Sequence, residues 1–196
     1  FKSIIASLIL STEAFESLVM GQGFRKLESL KLSFLTLGPN YGKPNPERLQ
    51  LFLGKEALPA LLSLDISVRD YDVETLGEIM TQSSMFKRLR RLNLSFETWT
   101  EKAIDGLCKV INEGKLEDLT ISPPPDPFMK RLAKSEGLEK LIRLKMWASS
   151  KSIGQRSFSA LIKSPHLNRL AILQFSNCKI RNGLKVLPQA DLPSLV

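Results

Sequence analysis

A six-residue phrase, with leucine or a related apolar residue at its first, fourth and sixth positions, recurs along the chain. It begins "LRRLNLSF" at Leu89, "LESLKLSF" at Leu27 and "LLSLDISV" at Leu61. One such phrase fits any β-strand, but its repetition at a distance constrains the whole fold. The matches are Ile5, Leu8, Leu10; Leu27, Leu30, Leu32; Leu61, Leu64, Ile66; Leu89, Leu92, Leu94; Leu116, Leu119, Ile121; Leu141, Leu144, Met146; and Leu170, Leu173, Phe175, with a further start at Leu192 and Leu195.

The spacing of these phrases indicates a repeat protein. Subtracting successive first positions gives intervals of 22, 34, 28, 27, 25, 29 and 22 residues. One repeat of this size cannot bury its own apolar face, so we expect the stacked repeats to form a single domain over residues 1–196. This domain has about seven repeats and an incomplete eighth. Because the sequence starts at Phe1 and stops directly after "LPSL", we also expect a fragment of a longer protein.

The phrase "LAILQFSNCKI", from Leu170 to Ile180, carries a family resemblance. It resembles the leucine-rich repeat pattern L-x-x-L-x-L-x-x-[N/C]-x-L at every position, with Cys178 in the Asn/Cys place. With the preceding "SPHLNR" it is similar to repeats of bacterial leucine-rich repeat proteins. The resemblance implies an α/β solenoid, or horseshoe, with a parallel sheet on its concave face and helices on its convex face. The Asn/Cys place holds other residues elsewhere, so we expect irregular turns: Glu13, Leu35, Arg69, Glu97, Pro124 and Ser149.

Side chains alternate across a strand, so every second residue of each phrase is predicted to face outward. A serine fills the last outward place in six of the seven phrases: Ser11, Ser33, Ser67, Ser95, Ser122 and Ser176. Equivalent residues of neighbouring parallel strands lie about 4.8 Å apart. A small polar side chain fits such a row without crowding. We therefore interpret these serines as structural and not as nucleophiles.

The segments between the phrases have helical periodicity. In "TEKAIDGLCKVINEG" the apolar residues share one helix face, and Gly114 is predicted to end the helix. Thr98 and Glu101 have the spacing of a capping box. In "PDPFMKRLAKSEG", Asp126 is the expected cap and Gly137 the expected terminator. An apolar residue three places before each strand is expected to close the helix onto the core: Phe24, Leu58, Phe86, Leu138 and Leu167.

The chemistry of the chain favours binding over catalysis. There is one histidine, His166, and it has no cysteine or aspartate at metal or triad spacing. Phosphate-binding glycine loops, C-x-x-C pairs and nucleophile elbows are absent from the sequence. We therefore predict no enzyme activity, no metal and no cofactor. Cys108 and Cys178 are expected to be buried free thiols, which favours a cytoplasmic location, and no apolar stretch has the length of a membrane span.

The outward strand residues are the predicted binding site, because the resemblance implies that a partner contacts the concave face. The expected partner-binding residues are Lys31, Asp65, Arg91, Asn93, Arg143, Lys145, Trp147 and Gln174. Trp147 stands where the other phrases have serine, and an exposed tryptophan is typical of a binding hot spot. The alternative is that Trp147 folds over a neighbouring turn as local packing. Trp99, in the last apolar place of its repeat, is expected to join the core.

These features predict a protein–protein interaction scaffold. An alternative is that the repeats are the substrate-recognition arm of a larger enzyme, such as a ubiquitin ligase or a secreted effector. A third hypothesis is nucleic-acid binding, because 28 basic and 20 acidic residues give a net charge of +8. That hypothesis predicts binding to DNA or RNA that weakens steeply with salt.

Overall fold

The computed structural model describes most of the middle of the chain and shorter parts near its ends. The described residues are 3–6, 25–34, 53, 58–68, 73–96, 98–122, 124–147, 152–180, 185 and 192–195. The predicted helix of "EAFESLVMG" and the predicted insertion "LGPNYGKPNPERL" lie outside these residues.

The fold is mixed α/β and is organised around one parallel sheet of seven strands. The strands stand in the sheet in the order in which they occur in the sequence, and every pairing is parallel. The strands are β1 (Ser3–Ala6), β2 (Ser29–Phe34), β3 (Ser63–Val68), β4 (Arg91–Phe96), β5 (Asp118–Ser122), β6 (Arg143–Trp147) and β8 (Ile172–Ser176). A second, two-stranded parallel sheet pairs β7 (Ser152–Ile153) with β9 (Lys179–Ile180).

The leucines of the phrase form the core, as predicted from their spacing. In β3, β4, β5 and β6 both inward residues are buried, and so is the leucine that precedes each strand. The predicted closing residues Leu58, Phe86, Leu138 and Leu167 are buried as well. Three residues after each of them, the backbone N–H of the strand-initial leucine donates to the closing residue's carbonyl, at 3.0 to 3.3 Å. Four of the described repeats therefore close with the same short turn, whereas before β5 the N–H of Lys115 donates to the Lys87 carbonyl at 3.2 Å.

A row of backbone carbonyls joins each repeat to the next. The carbonyl of Glu28 accepts from the N–H groups of Leu62 and Ser63, and the carbonyl of Leu62 accepts from those of Arg90 and Arg91. The same double acceptance continues at the carbonyls of Arg90, Glu117 and Ile142, with all distances between 2.8 and 3.1 Å. We call this row the carbonyl ladder. It satisfies the backbone at the start of each strand and fixes one register for all neighbours.

The predicted frame of the first repeat is wrong. Strand β1 pairs Ile4 with Leu30 and Ala6 with Leu32, so the places assigned to Leu8 and Leu10 belong to Ile4 and Ala6. Both frames put apolar residues at alternate positions, and only pairing with β2 separates them. The interval from Ser3 to its partner Ser29 is 26 residues, which is closer to the other repeats than the predicted 22.

The last repeat is also shifted from its predicted frame. Leu192 and Leu195 were expected at the first and fourth positions of a strand phrase. Instead, the N–H of Leu195 donates to the carbonyl of Leu192 at 3.2 Å, as Leu61 does to Leu58 in "LPAL". "LPSL" thus forms the same turn as "LPAL", so Leu192 corresponds to Leu58 and Leu195 to Leu61.

Five α-helices are described. They are α1 (Val73–Gln82), α2 (Ser84–Arg88), α3 (Glu101–Glu113), α4 (Asp126–Leu132) and α5 (Gln155–Ile162), and Glu136–Lys140 form a short 3-10 helix. Their apolar faces pack in the same core as the inward strand residues. Helices α1 and α3 approach most closely at Gly77 and Gly106, where a Cβ on either glycine would meet the backbone of the other helix.

Two predicted helix caps are wrong. Helix α3 is capped by Thr100, whose hydroxyl accepts from the N–H of Ala103 at 3.2 Å, so Thr98 takes no part in a capping box. Asp126 does not cap its own helix: it is the first residue of α4, and its Oδ1 accepts from the N–H of Gly154, before α5, at 3.0 Å. Gly114 ends α3 as predicted, but Gly137 does not end α4, which stops at Leu132.

Within the described part of the chain, every helix falls short of the length and apolar character that crossing a membrane requires.

Candidate functional site: the open face of the sheet

One face of the main sheet lies opposite the core and carries the outward residues of β2 to β6 and of β8. We call it the open face, and it contains three rows of side chains in register. The first row is Ser29, Ser63, Arg91, Asp118, Arg143 and Ile172; the second is Lys31, Asp65, Asn93, Thr120, Lys145 and Gln174; the third is Ser33, Ser67, Ser95, Ser122, Trp147 and Ser176. All eight residues predicted for partner binding belong to these rows, so alternation placed them on the correct face.

Two ion pairs hold neighbouring strands together on the open face. Lys31 Nζ lies 3.3 Å from Asp65 Oδ2 across β2 and β3. Arg143 Nη1 donates to Asp118 Oδ2 at 2.8 Å across β5 and β6. In both pairs the partners face each other directly in the strand register. Both acidic residues of the face are therefore engaged by a basic neighbour.

Two basic residues of the face lack such a partner. Among the described residues, no carboxylate lies within ion-pair distance of Arg91 or Lys145. The three rows hold four basic residues and two acidic ones, which gives a formal charge of +2. The surplus belongs to β4 and β6, since Lys31 and Asp65 balance each other on β2 and β3.

Unused hydrogen-bonding atoms accompany this charge. Within the described part of the chain, the Oδ1 atom of Asn93 and the Nε atom of Arg143 are buried and lack a hydrogen-bond partner. A buried polar atom without a partner costs free energy, typically about 1 to 3 kcal/mol. The centre of the open face therefore carries one acceptor and one donor that are buried beneath its surface and unsatisfied among the described residues.

Trp147 ends β6 in the row of serines. It pairs in register with Ser176 of β8, and 40% of its surface is exposed. On β8, Gln174 Nε2 donates to Oγ of Ser176, the register partner of Trp147, at 3.0 Å. The exposed fraction makes the indole ring available for contact. The position of Trp147 on the open face was predicted from strand alternation.

The serines of the third row pair with one another as predicted. Ser33, Ser67, Ser95 and Ser122 are successive Cα partners in the register of four neighbouring strands. Ser67 and Ser95 are half-buried and Ser122 is buried. Ser11, the first serine of the predicted row, lies outside the described residues. The described serines occupy a closely packed row, in keeping with their interpretation as structural.

Trp99 packs at the other end of the strand layer. Its ring centroid lies 4.8 Å from that of Phe96, edge to face, and 5.5 Å from that of Phe128, in a stacked arrangement. The residue is partly buried against the core, as expected. Its indole Nε1 is buried and has no partner among the described residues. Aromatic packing thus dominates at Trp99.

His166 and the two cysteines lie away from the open face. His166 Nδ1 is 2.8 Å from Glu139 Oε1, on the return segment before β8. Neither Cys108 nor Cys178 is in a disulfide, as predicted, but both are half-buried where full burial was predicted. Cys178, in the Asn/Cys place of the phrase, lies 3.7 Å from the Met146 carbonyl of the preceding repeat. In the described ranges, no group of three or more His, Cys, Asp and Glu residues is arranged to hold a metal.

Burial controls the ionisation of Cys108. It raises the pKa of the Cys108 thiol to about 11; nearby Arg131 lowers this pKa and Asp105 raises it, both by smaller amounts. The thiolate is the reactive form of cysteine, so this thiol is a poor nucleophile at neutral pH.

A second set of serines was missed in the sequence. Ser83 and Ser164 are buried, and each hydroxyl donates to a backbone carbonyl of the preceding repeat: Ser83 to Leu53 and Ser164 to Ala133. Each also accepts from the N–H two residues later. The signal was present, because a serine stands six residues before the strand-initial leucine in "SSMFKRL", "SEGLEKL" and "SPHLNRL".

Comparison of the chain with protein-family models finds no match, and comparison with curated proteins also finds none. Membership of the leucine-rich repeat family therefore stays a prediction from the repeated phrase.

Proposed function

We propose that this protein is a non-catalytic interaction module of the leucine-rich repeat type, which binds a partner protein through the open face of its parallel sheet. In this proposal the repeats curve into a solenoid with the open face on the concave side. The observation that carries the proposal is Trp147: a large aromatic residue stands 40% exposed in a row otherwise made of serines.

The chemistry of the face supports binding. Tryptophan and arginine are the residues most enriched among interface hot spots, and Trp147 shares the face with Arg91 and Arg143. The acidic residues Asp65 and Asp118 are held in ion pairs with their neighbours, so they contribute to the surface as fixed, neutralised groups. The face presents an ordered array of hydrogen-bonding groups around one aromatic anchor.

The packing beneath Trp147 supports a binding role over a purely structural one. The inward residues of β6, Leu144 and Met146, are both fully buried and face the side of the strand opposite to Trp147. Removing an exposed side chain from the open face leaves that core intact. Trp147→Ala is therefore expected to change the melting temperature very little.

The test combines site-specific crosslinking with affinity measurement. A photoreactive amino acid at Thr120, in the middle of the face, should crosslink to a partner protein, whereas the same residue at Lys109 on the exposed side of α3 should not. With that partner purified, Trp147→Ala should weaken binding by about 30-fold, because truncating a hot-spot residue typically costs about 2 kcal/mol. The matched control Lys109→Ala should leave affinity within about twofold.

The opposite pattern would remove the proposal. If Trp147→Ala destabilises the fold but leaves affinity unchanged, Trp147 is packing and the open face is not the binding surface. Crosslinks at Lys109 in place of Thr120 would move the site to the helices.

A further inference from the structure

The charges of the open face are not evenly distributed along the sheet. Strands β2 and β3 carry Lys31 and Asp65, which neutralise each other, and β8 carries no charge on this face. Strands β4 to β6 carry three basic residues, Arg91, Arg143 and Lys145, and one acidic residue, Asp118. We call these three basic residues the basic cluster.

Asp118 stands between the two arginines of the basic cluster. The register places Arg91 on one side of it and Arg143 on the other. It bonds to Arg143 Nη1 at 2.8 Å and is itself only 20% exposed, so one carboxylate is shared with one guanidinium. Among the described residues Arg91 thus keeps an exposed charge with no carboxylate partner, and the half-buried Lys145 supplies a second such charge on β6.

The spacing of Arg91 and Lys145 suits an extended chain. They are two strands apart and offset by two residues along the strand. With a strand spacing of about 4.8 Å and a rise of about 3.4 Å per residue, their Cα atoms are separated by roughly 12 Å. Two acidic residues four positions apart in an extended segment span about 14 Å and point to the same side, so both can reach this face.

We infer that the basic cluster binds an extended acidic segment of the partner protein, with carboxylates on Arg91 and Lys145 and an apolar side chain against Trp147. This inference rests on the proposed function, because it names the chemistry of the partner at the same face. Charge complementarity selects the carboxylates. Asn93, on the strand of Arg91, and Arg143, on the strand of Lys145, flank these contacts on the same face.

An acidic protein segment fits this surface better than a nucleic acid. Nucleic-acid binding draws its affinity from many phosphates contacted together. Here Asp118 lies between the arginines of the basic cluster, and Asp65 lies beside the cluster on β3. A continuous phosphate backbone would therefore meet carboxylates as well as cations. Two uncompensated charges match two carboxylates.

The test uses three defined probes on the intact chain. The first is a synthetic peptide with two glutamates four residues apart and one leucine. The second is the same peptide with glutamine for glutamate, and the third is single-stranded oligothymidylate. Binding is followed by NMR through the indole N–H signals of Trp147 and Trp99, assigned with Trp147→Phe and Trp99→Phe. The glutamate peptide should shift the Trp147 signal and leave the Trp99 signal in place.

Charge-removing variants locate the contact. Arg91→Gln and Lys145→Gln should each weaken the glutamate peptide by about fivefold, the upper range for one exposed ion pair. Arg156→Gln is the matched control, since Arg156 is exposed on α5 and has no ion pair among the described residues. It removes the same net charge and should change binding by less than twofold.

Three results would overturn the inference. They are equal binding of the glutamine peptide, an equal loss in Arg156→Gln, and tighter binding of oligothymidylate that depends on Arg91 and Lys145. The last result would assign the cluster to nucleic acid. Failure here is separable from failure of the proposed function. If a protein still crosslinks at Thr120 and is lost in Trp147→Ala, the open face binds protein and only the acidic chemistry is wrong.

Discussion

The hydroxyl of Ser164 donates to the carbonyl of Ala133 at 2.7 Å, across 31 residues of sequence and one repeat of the fold. Ser83 makes the same contact with Leu53, 30 residues earlier. Both serines are buried and both stand six residues before the leucine that leads into a strand. A buried hydroxyl therefore ties the return segment of one repeat to the repeat before it, on the side of the molecule away from the open face.

This relationship predicts a stability loss for Ser164→Ala. The substitution leaves the Ala133 carbonyl buried without its donor, and an unsatisfied buried acceptor costs about 1 to 3 kcal/mol. The free energy of unfolding measured with urea should fall by that amount, and the midpoint should shift to a lower urea concentration. Ser159→Ala, on the half-exposed side of α5, is the control and should lie within about 0.5 kcal/mol of the unmodified chain. Equal midpoints for the two variants would show that the Ser164 contact contributes nothing.

Gly106→Ala should destabilise the chain even though alanine is the better helix former. In an isolated helix the change would gain up to about 1 kcal/mol. Here the new Cβ would collide with the Gly77 carbonyl, and backbone on both sides cannot give way cheaply. Overpacking of this kind costs about 1 to 3 kcal/mol, so after the helix gain we expect a net loss near 1 kcal/mol in the free energy of thermal or urea unfolding. A stabilised Gly106→Ala would show that α1 and α3 lie further apart than described here.

The Cys108 thiol should react slowly with thiol reagents until the solution is strongly alkaline. Burial raises its pKa to about 11, so the rate of reaction with iodoacetamide in a Cys178→Ala background should rise through pH 10 and level off above pH 11. Since the folded pKa is the higher one, the neutral thiol contributes fully to stability below the ordinary pKa of about 8.5. That contribution is lost as the pH rises towards 11. Unfolding the chain at pH 9 should speed the reaction, and an unchanged rate would contradict the shift.

Removing the guanidinium of Arg131 tests the charge that opposes this rise in the Cys108 pKa. Arg131 lowers the Cys108 pKa by its charge, so Arg131→Gln should raise it further and slow alkylation at a fixed pH. Arg131 also pairs with Glu101 and Asp105 on the exposed side of α3. Lys130→Gln, one residue away and exposed, is the control and should leave the alkylation rate unchanged.

The two tryptophans should differ in fluorescence and in their effect on stability. Trp147 is exposed and should account for the component that acrylamide quenches readily, which Trp147→Phe removes. Trp99 packs edge to face with Phe96 and stacks on Phe128, so Trp99→Ala should cost about 2 to 3 kcal/mol. Equal quenching of both residues would contradict this assignment, and so would a stability loss in Trp147→Ala as large as that in Trp99→Ala.

The repeated phrase predicted the parallel sheet, its inward leucines and the face on which every candidate site residue lies, because alternation along a strand depends only on sequence position. It did not predict the frame of the first and last repeats. Around Ile4 and Leu8 two frames satisfy the same apolar template, and "LPSL" fits both a strand phrase and the turn before it. Pairing with a neighbour decides between frames, and no single segment contains that information.

The pairings on the open face were also beyond the sequence. Arg91 and Arg143 are equally spaced from Asp118 in the register, and only the side-chain positions show that Arg143 takes the carboxylate. Similarly, both Thr98 and Thr100 have the chemistry of a helix cap, and the backbone at Thr100 makes it the cap of α3. Local signals nominate residues, and three-dimensional contacts choose among them.

The carbonyl ladder makes the order of side chains on the open face independent of the length of chain that separates them. Lys31 and Asp65 are neighbours across 34 residues, and Asp118 and Arg143 are neighbours across 25, in the same register. Excising residues 90–116 would bring the N–H groups of Glu117 and Asp118 to the Leu62 carbonyl, the acceptor that now serves Arg90 and Arg91. Asp65 would then adjoin Thr120, and Arg91 and Asn93 would be gone. New combinations of side chains can thus be made by splicing whole repeats, with no redesign of the backbone between them.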